Sequence, residues 1–254
     1  MLWALAADGT ITLCEGRALD ALGFQPGELV GRSALDLFRD TPTALGHLRR
    51  ALAGETLVTT DDMRGRVLET FYVPRVGGKG IIGVTVDVTE RRQALHDALT
   101  ALPNRALFNA RLSAALDGAQ APCAVLLLDL NGFKGVNDTW GHHAGDAALC
   151  AVAAHLRESV RGIDTVARLG GDEFGMILMG TDRAGAVETA ERLGHMAEAP
   201  VIVEGQPLRI GLSIGIALSS DAPEHDGAAL VRRADGAMYA AKRAGRVWAI
   251  DDPM

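Results

Sequence analysis

Val166-Ala-Arg-Leu-Gly-Gly-Asp-Glu-Phe-Gly-Met-Ile-Leu178 reads as two short apolar strands joined at Gly170-Gly171. The glycines supply the positive φ that a tight hairpin needs and let backbone approach a phosphate closely. Asp172 and Glu173 then project from a rigid turn. Alone, such a segment is a Gly-Gly hairpin carrying solvated acids, common in α+β proteins. Its meaning depends on its neighbours.

Upstream, Cys123-Ala-Val-Leu-Leu-Leu-Asp-Leu-Asn131 is a continuous apolar strand that ends in acid. A buried strand closing on Asp129 fixes an anion at the end of a sheet, where a hard cation can be held by oxygen. An acid at a strand end is more often a cap or turn former, so this feature does not argue for metal by itself. Together with the hairpin it would make the carboxylate cluster of a phosphoryl-transfer enzyme, although spacing alone does not make the two adjacent. Around these strands, helical spacing predicts helices over Leu107 to Leu116, Ala147 to Val160, Ala184 to Ala199 and Ala228 to Ala244. Strands are predicted at Thr165 to Leu169, Phe174 to Met179 and Leu208 to Leu218. Helices alternating with an antiparallel-centred sheet make an α+β layered domain.

The first ~90 residues follow a different plan. Leu2 to Ala6 and Thr10 to Cys14 are brief strands about an Asp8-Gly9 turn. Short helices are expected at Ala18 to Gly23, Ser33 to Phe38 and Thr43 to Ala53. The period then changes to two, and Val67 to Val73 and Gly80 to Val86 read as an antiparallel pair across Gly77-Gly78. Residues 87–104 form a charged connector, too short to claim as a coiled coil.

Composition bounds the function. Of 254 residues, 48% are hydrophobic and 22% charged, which is enough for a buried core and too few charges for disorder. The net charge of -7 divides into -3 over residues 1–90 and -4 over 91–254. Neither part is basic, which argues against a nucleic-acid polymer as partner and leaves room for a small nucleotide neutralised by a divalent cation. Cys14, Cys123 and Cys150 show no ligand spacing and read as buried thiols in a reducing compartment. The amino terminus turns polar too soon for a signal peptide, and no apolar run reaches the ~20 residues of a membrane span. A soluble, cytoplasmic protein without a membrane partner is expected.

Two family resemblances organise these readings. Leu22-Gly-Phe-Gln-Pro-Gly-Glu-Leu-Val-Gly31, and Asp87-Val88-Thr89 followed by Glu90-Arg91-Arg92, resemble the PAS sensor family over residues 1–90. That likeness implies an antiparallel sheet with flanking helices, serving input or dimerisation, with its ligand unspecified. Asp97-Ala-Leu-Thr-Ala-Leu-Pro-Asn-Arg105, Leu128-Asp-Leu-Asn-Gly-Phe-Lys-Gly-Val-Asn-Asp138, Gly141-His-His-Ala-Gly-Asp146 and Arg168-Leu-Gly-Gly-Asp-Glu-Phe174 resemble, in order, the motifs of GGDEF-family diguanylate cyclases. This implies a catalytic domain over 97–254, a central sheet of the nucleotidyl-cyclase, palm-like kind surrounded by helices. A helical linker at 91–104 overlaps its start.

The second resemblance also implies a set of roles. Asp129 and Glu173, with the Leu130 carbonyl, would hold Mg²⁺ or Mn²⁺. Asp172 would help activate a 3′-hydroxyl or bind a second cation. Asn137 and Asp146 would read guanine, whose N1–H and N2–H₂ donate to a carboxylate as adenine cannot. Phe133, Lys134, Lys242 and Arg246 match positions that contact the triphosphate of GTP. Arg161-Gly-Ile-Asp164, six residues before Gly170, matches an inhibitory site for the product, cyclic di-GMP; such a tetrapeptide is otherwise an ordinary local ion pair. Because one domain holds half a site, a homodimer is implied. The chain departs from the pattern at Asn131 (often Asp), Ala101 (usually Gly) and Val247 (often Asn). His142 and His143 are read as structural, and His47 as a core or surface histidine rather than a haem ligand, since no supporting motif accompanies it. The rival classes are a silent module that senses GTP or cyclic di-GMP without turnover, against which intact Asp129, Asp172 and Glu173 argue, and a PAS-centred scaffold whose second domain only dimerises.

Overall fold

The computed structural model describes residues 1–254 except 20–22, 76, 78, 118–121, 199, 204–205, 222–225 and 253–254. The chain forms two compact units, Met1–Ala94 and Leu95–Met254. Among the described residues no helix is long and apolar enough to cross a membrane.

In the first unit, β1 (Leu2–Leu5) and β2 (Ile11–Glu15) precede the short helices α1 (Ala34–Leu37) and α2 (Pro42–Leu52). Three longer strands follow, β3 (Leu57–Met63), β4 (Arg66–Pro74) and β5 (Ile81–Asp87), and then α3 (Thr89–Leu95). They form one antiparallel sheet in the order β2-β1-β5-β4-β3. The expected pairing of β4 with β5 is present, with Phe71 opposite Val84. Half of the helix expected at Ala18 to Gly23, residues 20–22, lies outside those described, as does Gly78 of the expected Gly77-Gly78 turn. One face of the sheet buries Trp3, Leu5, Tyr72 and Ile81 against Leu48 and Ala51 of α2. Trp3 lies across Gly83, where a Cβ would come within 2.0 Å of the indole. Its Nε1 donates to Thr85 Oγ1 at 3.0 Å, and that hydroxyl shares a 3.0 Å hydrogen bond with Thr70. The buried Trp3, Thr70 and Thr85 side chains thereby satisfy one another.

The second unit begins with α4 (Arg105–Asp117), β6 (Cys123–Asn131) and α5 (Phe133–Glu158). The hairpin β7 (Thr165–Gly170) and β8 (Glu173–Met179) leads into α6 (Arg183–Glu198), the short antiparallel pair β9 (Val201–Val203) and β10 (Gln206–Leu208), and β11 (Gly211–Leu218). Helix α7 (Gly227–Ala244) and β12 (Trp248–Ile250) complete it. The main sheet runs β12-β11-β6-β8-β7, antiparallel except for β11 with β12. Its middle strand, β6, is covered on both faces, which is why it reads as unbroken apolar sequence. Ala124, Leu126, Leu128 and Leu130 join one core with residues of α5 and α6. Cys123, Val125 and Leu127 join another with residues of α4 and α7. By strand alternation Asp129 belongs to the α7 face.

Two expectations need correction. The strand predicted over Leu208 to Leu218 is two elements, with Leu208 ending β10 and β11 starting at Gly211. The helix expected from Ala147 starts at Phe133 and is interrupted at Gly141 (φ 82°, ψ 167°). Glycine, asparagine and aspartate, all poor helix formers, hid its first half.

Candidate active site

The β7–β8 hairpin turns as its glycines require. Gly170 pairs with Glu173, leaving Gly171-Asp172 as the two-residue loop, and Gly171 has φ +52°. A β-branched or bulky residue there would be strained. The turn is also gripped from outside. Arg168 donates to the Gly171 carbonyl at 3.0 and 2.8 Å and to both oxygens of Asp97 at 3.0 and 3.2 Å. Asp97 is fixed in turn by Thr100, whose backbone N–H (2.8 Å) and hydroxyl (2.7 Å) both donate to it. Burial opposes ionisation of Asp97 most strongly, yet the Thr100 hydrogen bonds and the Arg168 guanidinium together bring its carboxyl below the usual aspartate value. On the other side Arg105 donates to the Leu169 carbonyl at 3.1 Å and meets Glu173 at 3.3 Å. Residues 97–105 were recognisable in the sequence only as a family match; their clamping of the hairpin is visible only in three dimensions.

The two acidic features lie side by side. β6 pairs with β8 so that Asp129 stands directly opposite Glu173. Like charges so placed repel unless a cation intervenes. Here each has a basic partner: Lys242 of α7 reaches Asp129 at 2.5 Å, and Arg105 reaches Glu173. The hydrogen bond to Asp129 holds the Lys242 ammonium above the usual lysine value. Asp172 occupies the turn beside them, and its carbonyl accepts from the Leu130 N–H at 3.3 Å. Among the described residues no three His, Cys, Asp or Glu side chains form a metal-binding group. The expected cluster is therefore a carboxylate pair with a third acid in the adjoining turn. Two carboxylates and a backbone carbonyl fit Mg²⁺, which takes one or two carboxylates and keeps its other positions for water and phosphate oxygens.

The remaining candidates sit on the flanking helices. β6 runs through Gly132 (φ +81°) directly into α5, which puts Phe133 and the exposed Lys134 in that helix's first turn. Asn137 lies against Gly145, where an added Cβ would be 2.0 Å from Asn137 Oδ1. The break at Gly141 and the bare Gly145 thus bring Asn137 against the residue preceding Asp146. His142 and His143 are exposed. Gly245 ends α7 in the left-handed conformation, with Lys242 in the last turn and Arg246, also exposed, just beyond it.

The departures have local explanations. Asn131 donates to Ser213 Oγ at 3.0 Å and accepts from it at 3.2 Å, a reciprocal pair that a carboxylate could not make. Val247 packs against Gly194 of α6. Ala101 has φ +55°, the backbone geometry for which glycine is suited.

Arg161 and Asp164 line a separate cavity of about 500 Å³. The Asp164 side chain is 2% exposed and accepts from the Arg161 and Met179 backbone N–H groups, while the Arg161 guanidinium is largely exposed and pairs with it at 3.2 Å. Arg192, from α6, lines the same cavity and donates to the Ser159 carbonyl at 2.9 Å. Nothing in the local sequence marked Arg192; only the folding of α6 brings it there.

In the first unit a cavity of about 400 Å³ is lined by apolar side chains such as Trp3, Phe24, Leu29 and Leu48, with Asp61 and Arg64 among its polar groups. His47 does not line it; the imidazole faces Asp61 at 3.4 Å and packs edge-on to Tyr72. Cys14, Cys123 and Cys150 are free thiols, and burial pushes those of Cys14 and Cys123 up.

Comparison with known proteins places this geometry. Residues 94–247 match the family described as diguanylate cyclase, GGDEF domain, and residues 1–93 match the PAS fold. The bifunctional diguanylate cyclase/cyclic di-GMP phosphodiesterase MucR of Pseudomonas aeruginosa is 46% identical over 158 residues, covering 60% of this chain and 23% of MucR. The crystal structure of the GGDEF domain of TpbB from the same organism superposes with a TM-score of 0.58 at 40% identity, over 61% of this chain and 99% of that one. The GGDEF domain of DgcB from Caulobacter crescentus, solved with c-di-GMP, gives 0.59 at 32% identity, over 64% and 99%. The chain spans only 23%, 33% and 36% of the length of three curated relatives.

Proposed function

The chain belongs to the family of GGDEF-domain diguanylate cyclases, and from that premise we propose that it condenses two GTP molecules into cyclic di-GMP with release of two pyrophosphates. The observation that carries the reading is the in-register opposition of Asp129 and Glu173 beside the Gly170-Gly171 turn. A Mg²⁺ or Mn²⁺ ion held by Asp129, Glu173 and the Leu130 carbonyl would supply charge neutralisation at the triphosphate. Phe133 and Lys134, at the amino end of α5, meet phosphate oxygens where backbone N–H groups are unpaired. Lys242 and Arg246 add charge-assisted bonds from the end of α7. Asn137 and Asp146 read the guanine edge. With GTP so fixed, the 3′-hydroxyl of one molecule attacks the α-phosphorus of the other. The new 3′-O–P bond forms as the bond to pyrophosphate breaks, and Asp172 assists removal of the hydroxyl proton. A repeat in the opposite sense closes the ring. Positioning supplies much of the acceleration, and because each unit presents one GTP, two copies must face each other.

GTP as substrate places this chemistry in the cytoplasm, with no nucleic-acid polymer involved. Product is taken up at the Arg161–Asp164 cavity, where Arg161 and Arg192 offer guanidinium groups to phosphate; unchanged product inhibition in Arg161→Ala would remove this site. The PAS unit supplies input through a ligand not yet named. The catalytic reading is tested by incubating purified protein with GTP and Mg²⁺: cyclic di-GMP is expected from the native chain and none from Glu173→Gln. Turnover that survives in Glu173→Gln sinks the assignment.

A further inference from the structure

The Asp129 side chain is only 13% exposed, and its neighbours across the sheet are Glu173 of β8 on one side and Ser213 of β11 on the other. Neither neighbour brings a positive charge. That charge comes from the last turn of α7, where the Lys242 ammonium donates to Asp129 at 2.5 Å and also feels the charges of Asp172 and Glu173. A helix carboxyl end favours a lysine, because its unpaired carbonyls carry partial negative charge. The Lys242 side chain is itself 50% exposed, so its flexible four-carbon stem can swing without disturbing a core. Arg105, the first residue of α4, meets Glu173 at 3.3 Å. Both carboxylates that would hold a divalent cation are therefore already paired with basic side chains of the same chain, Asp129 the more closely.

We propose that Lys242 is a place-holding counter-ion, its ammonium occupying Asp129 until nucleotide arrives, so that metal alone is held off and metal and triphosphate enter together. The inference rests on the cyclase reading, which gives Asp129 to the cation and Lys242 to the triphosphate. A divalent cation arriving alone must displace the ammonium from Asp129, which leaves an unpaired lysine beside a dication. A triphosphate removes that conflict, because its oxygens accept the ammonium in charge-assisted hydrogen bonds. Metal and nucleotide then favour each other's binding, and the coupling is reciprocal. Before nucleotide binds, the same ammonium offsets the repulsion between carboxylates set opposite each other on β6 and β8.

Mn²⁺ binding without nucleotide tests this, read on the full chain by loss of the free-ion electron paramagnetic resonance signal. Native protein is compared with Lys242→Met and Arg246→Met. The second variant removes the same charge from the same end of α7 but leaves the Asp129 pair in place. Lys242→Met is expected to bind Mn²⁺ roughly tenfold more tightly than native protein, and Arg246→Met within about twofold of it. The difference should persist at about 0.3 M salt, where exposed charges beyond about 6 Å are largely screened and a contact is not. A gain in affinity does not arise from a variant that fails to fold. Lys242→Met that binds Mn²⁺ no more tightly than native protein, or no more tightly than Arg246→Met, overturns the proposal. So does an absence of Mn²⁺ binding in all three chains. Mn²⁺ binding is read without turnover, so the two ideas fail separately. Tighter binding in Lys242→Met, with no cyclic di-GMP from the native chain, removes the cyclase and keeps the place-holder; cyclic di-GMP from a native chain whose Lys242→Met variant binds Mn²⁺ no more tightly does the reverse.

Discussion

Ala101 holds a backbone conformation suited to glycine. Its φ of +55° lies in the left-handed region, which costs an L-residue about 1–2 kcal/mol, whereas glycine enters it freely. Ala101→Gly should therefore stabilise the second unit by about 0.5–1 kcal/mol once glycine's greater unfolded-state entropy is counted, as read from its denaturation midpoint. Asp97, four residues earlier, gives a prediction in pH. Its carboxyl sits below the usual aspartate value in the folded chain. A depressed carboxyl contributes stability that is fully present above the unfolded value of about 3.9 and is lost as pH falls through the lower folded value. Asp97→Asn should thus cost about 1–3 kcal/mol at neutral pH, and that cost should shrink in acid below about pH 4. A penalty that stays constant between neutral and acid pH would show that the Arg168 pairing does not depend on the charge.

Helix α5 shows how an element, rather than any one side chain, shapes the end of the site proposed to read guanine. Its two segments meet where Asn137 lies on Gly145, and an added methyl group there would have to displace the carboxamide. Gly145→Ala should raise KM for GTP roughly tenfold with little change in overall fold by circular dichroism, the loss expected for one or two base-reading hydrogen bonds. An unchanged KM would detach Asn137 from base recognition. The same helix marks the limit of reading by sequence. Unbroken apolar runs announced β6, and the Gly-Gly pair announced the hairpin, because burial on two faces and positive φ leave strong compositional traces. Residues 133–141 left no such trace, since Gly135, Asn137 and Asp138 disfavour helix and tertiary context overrides them. β3 was missed for a related reason: Val58-Thr-Thr-Asp-Asp62 is too polar to read as a strand, yet it is the edge of its sheet and needs only one covered face. The candidate carboxylates were all visible as residues. Their register, the Arg168–Asp97 clamp and the arrival of Arg192 beside Arg161 depend on contacts between segments far apart in the chain.

For the whole molecule, the division into a PAS-fold unit and a GGDEF-domain unit follows from the two hydrophobic plans of the sequence, and each unit has its own core. The first leaves an apolar sheet face exposed; the second, on the proposed reading, would hold one of two GTP molecules. A protein of this design should be active only as a pair, so its specific activity should climb with protein concentration until the dimer saturates. The direct measurement is a mass balance on native protein with GTP and Mg²⁺, separating nucleotides chromatographically across a range of protein concentrations. The account predicts one cyclic di-GMP and two pyrophosphates for every two GTP consumed, with specific activity rising toward a plateau. GTP that binds and is recovered unchanged at every concentration would contradict it.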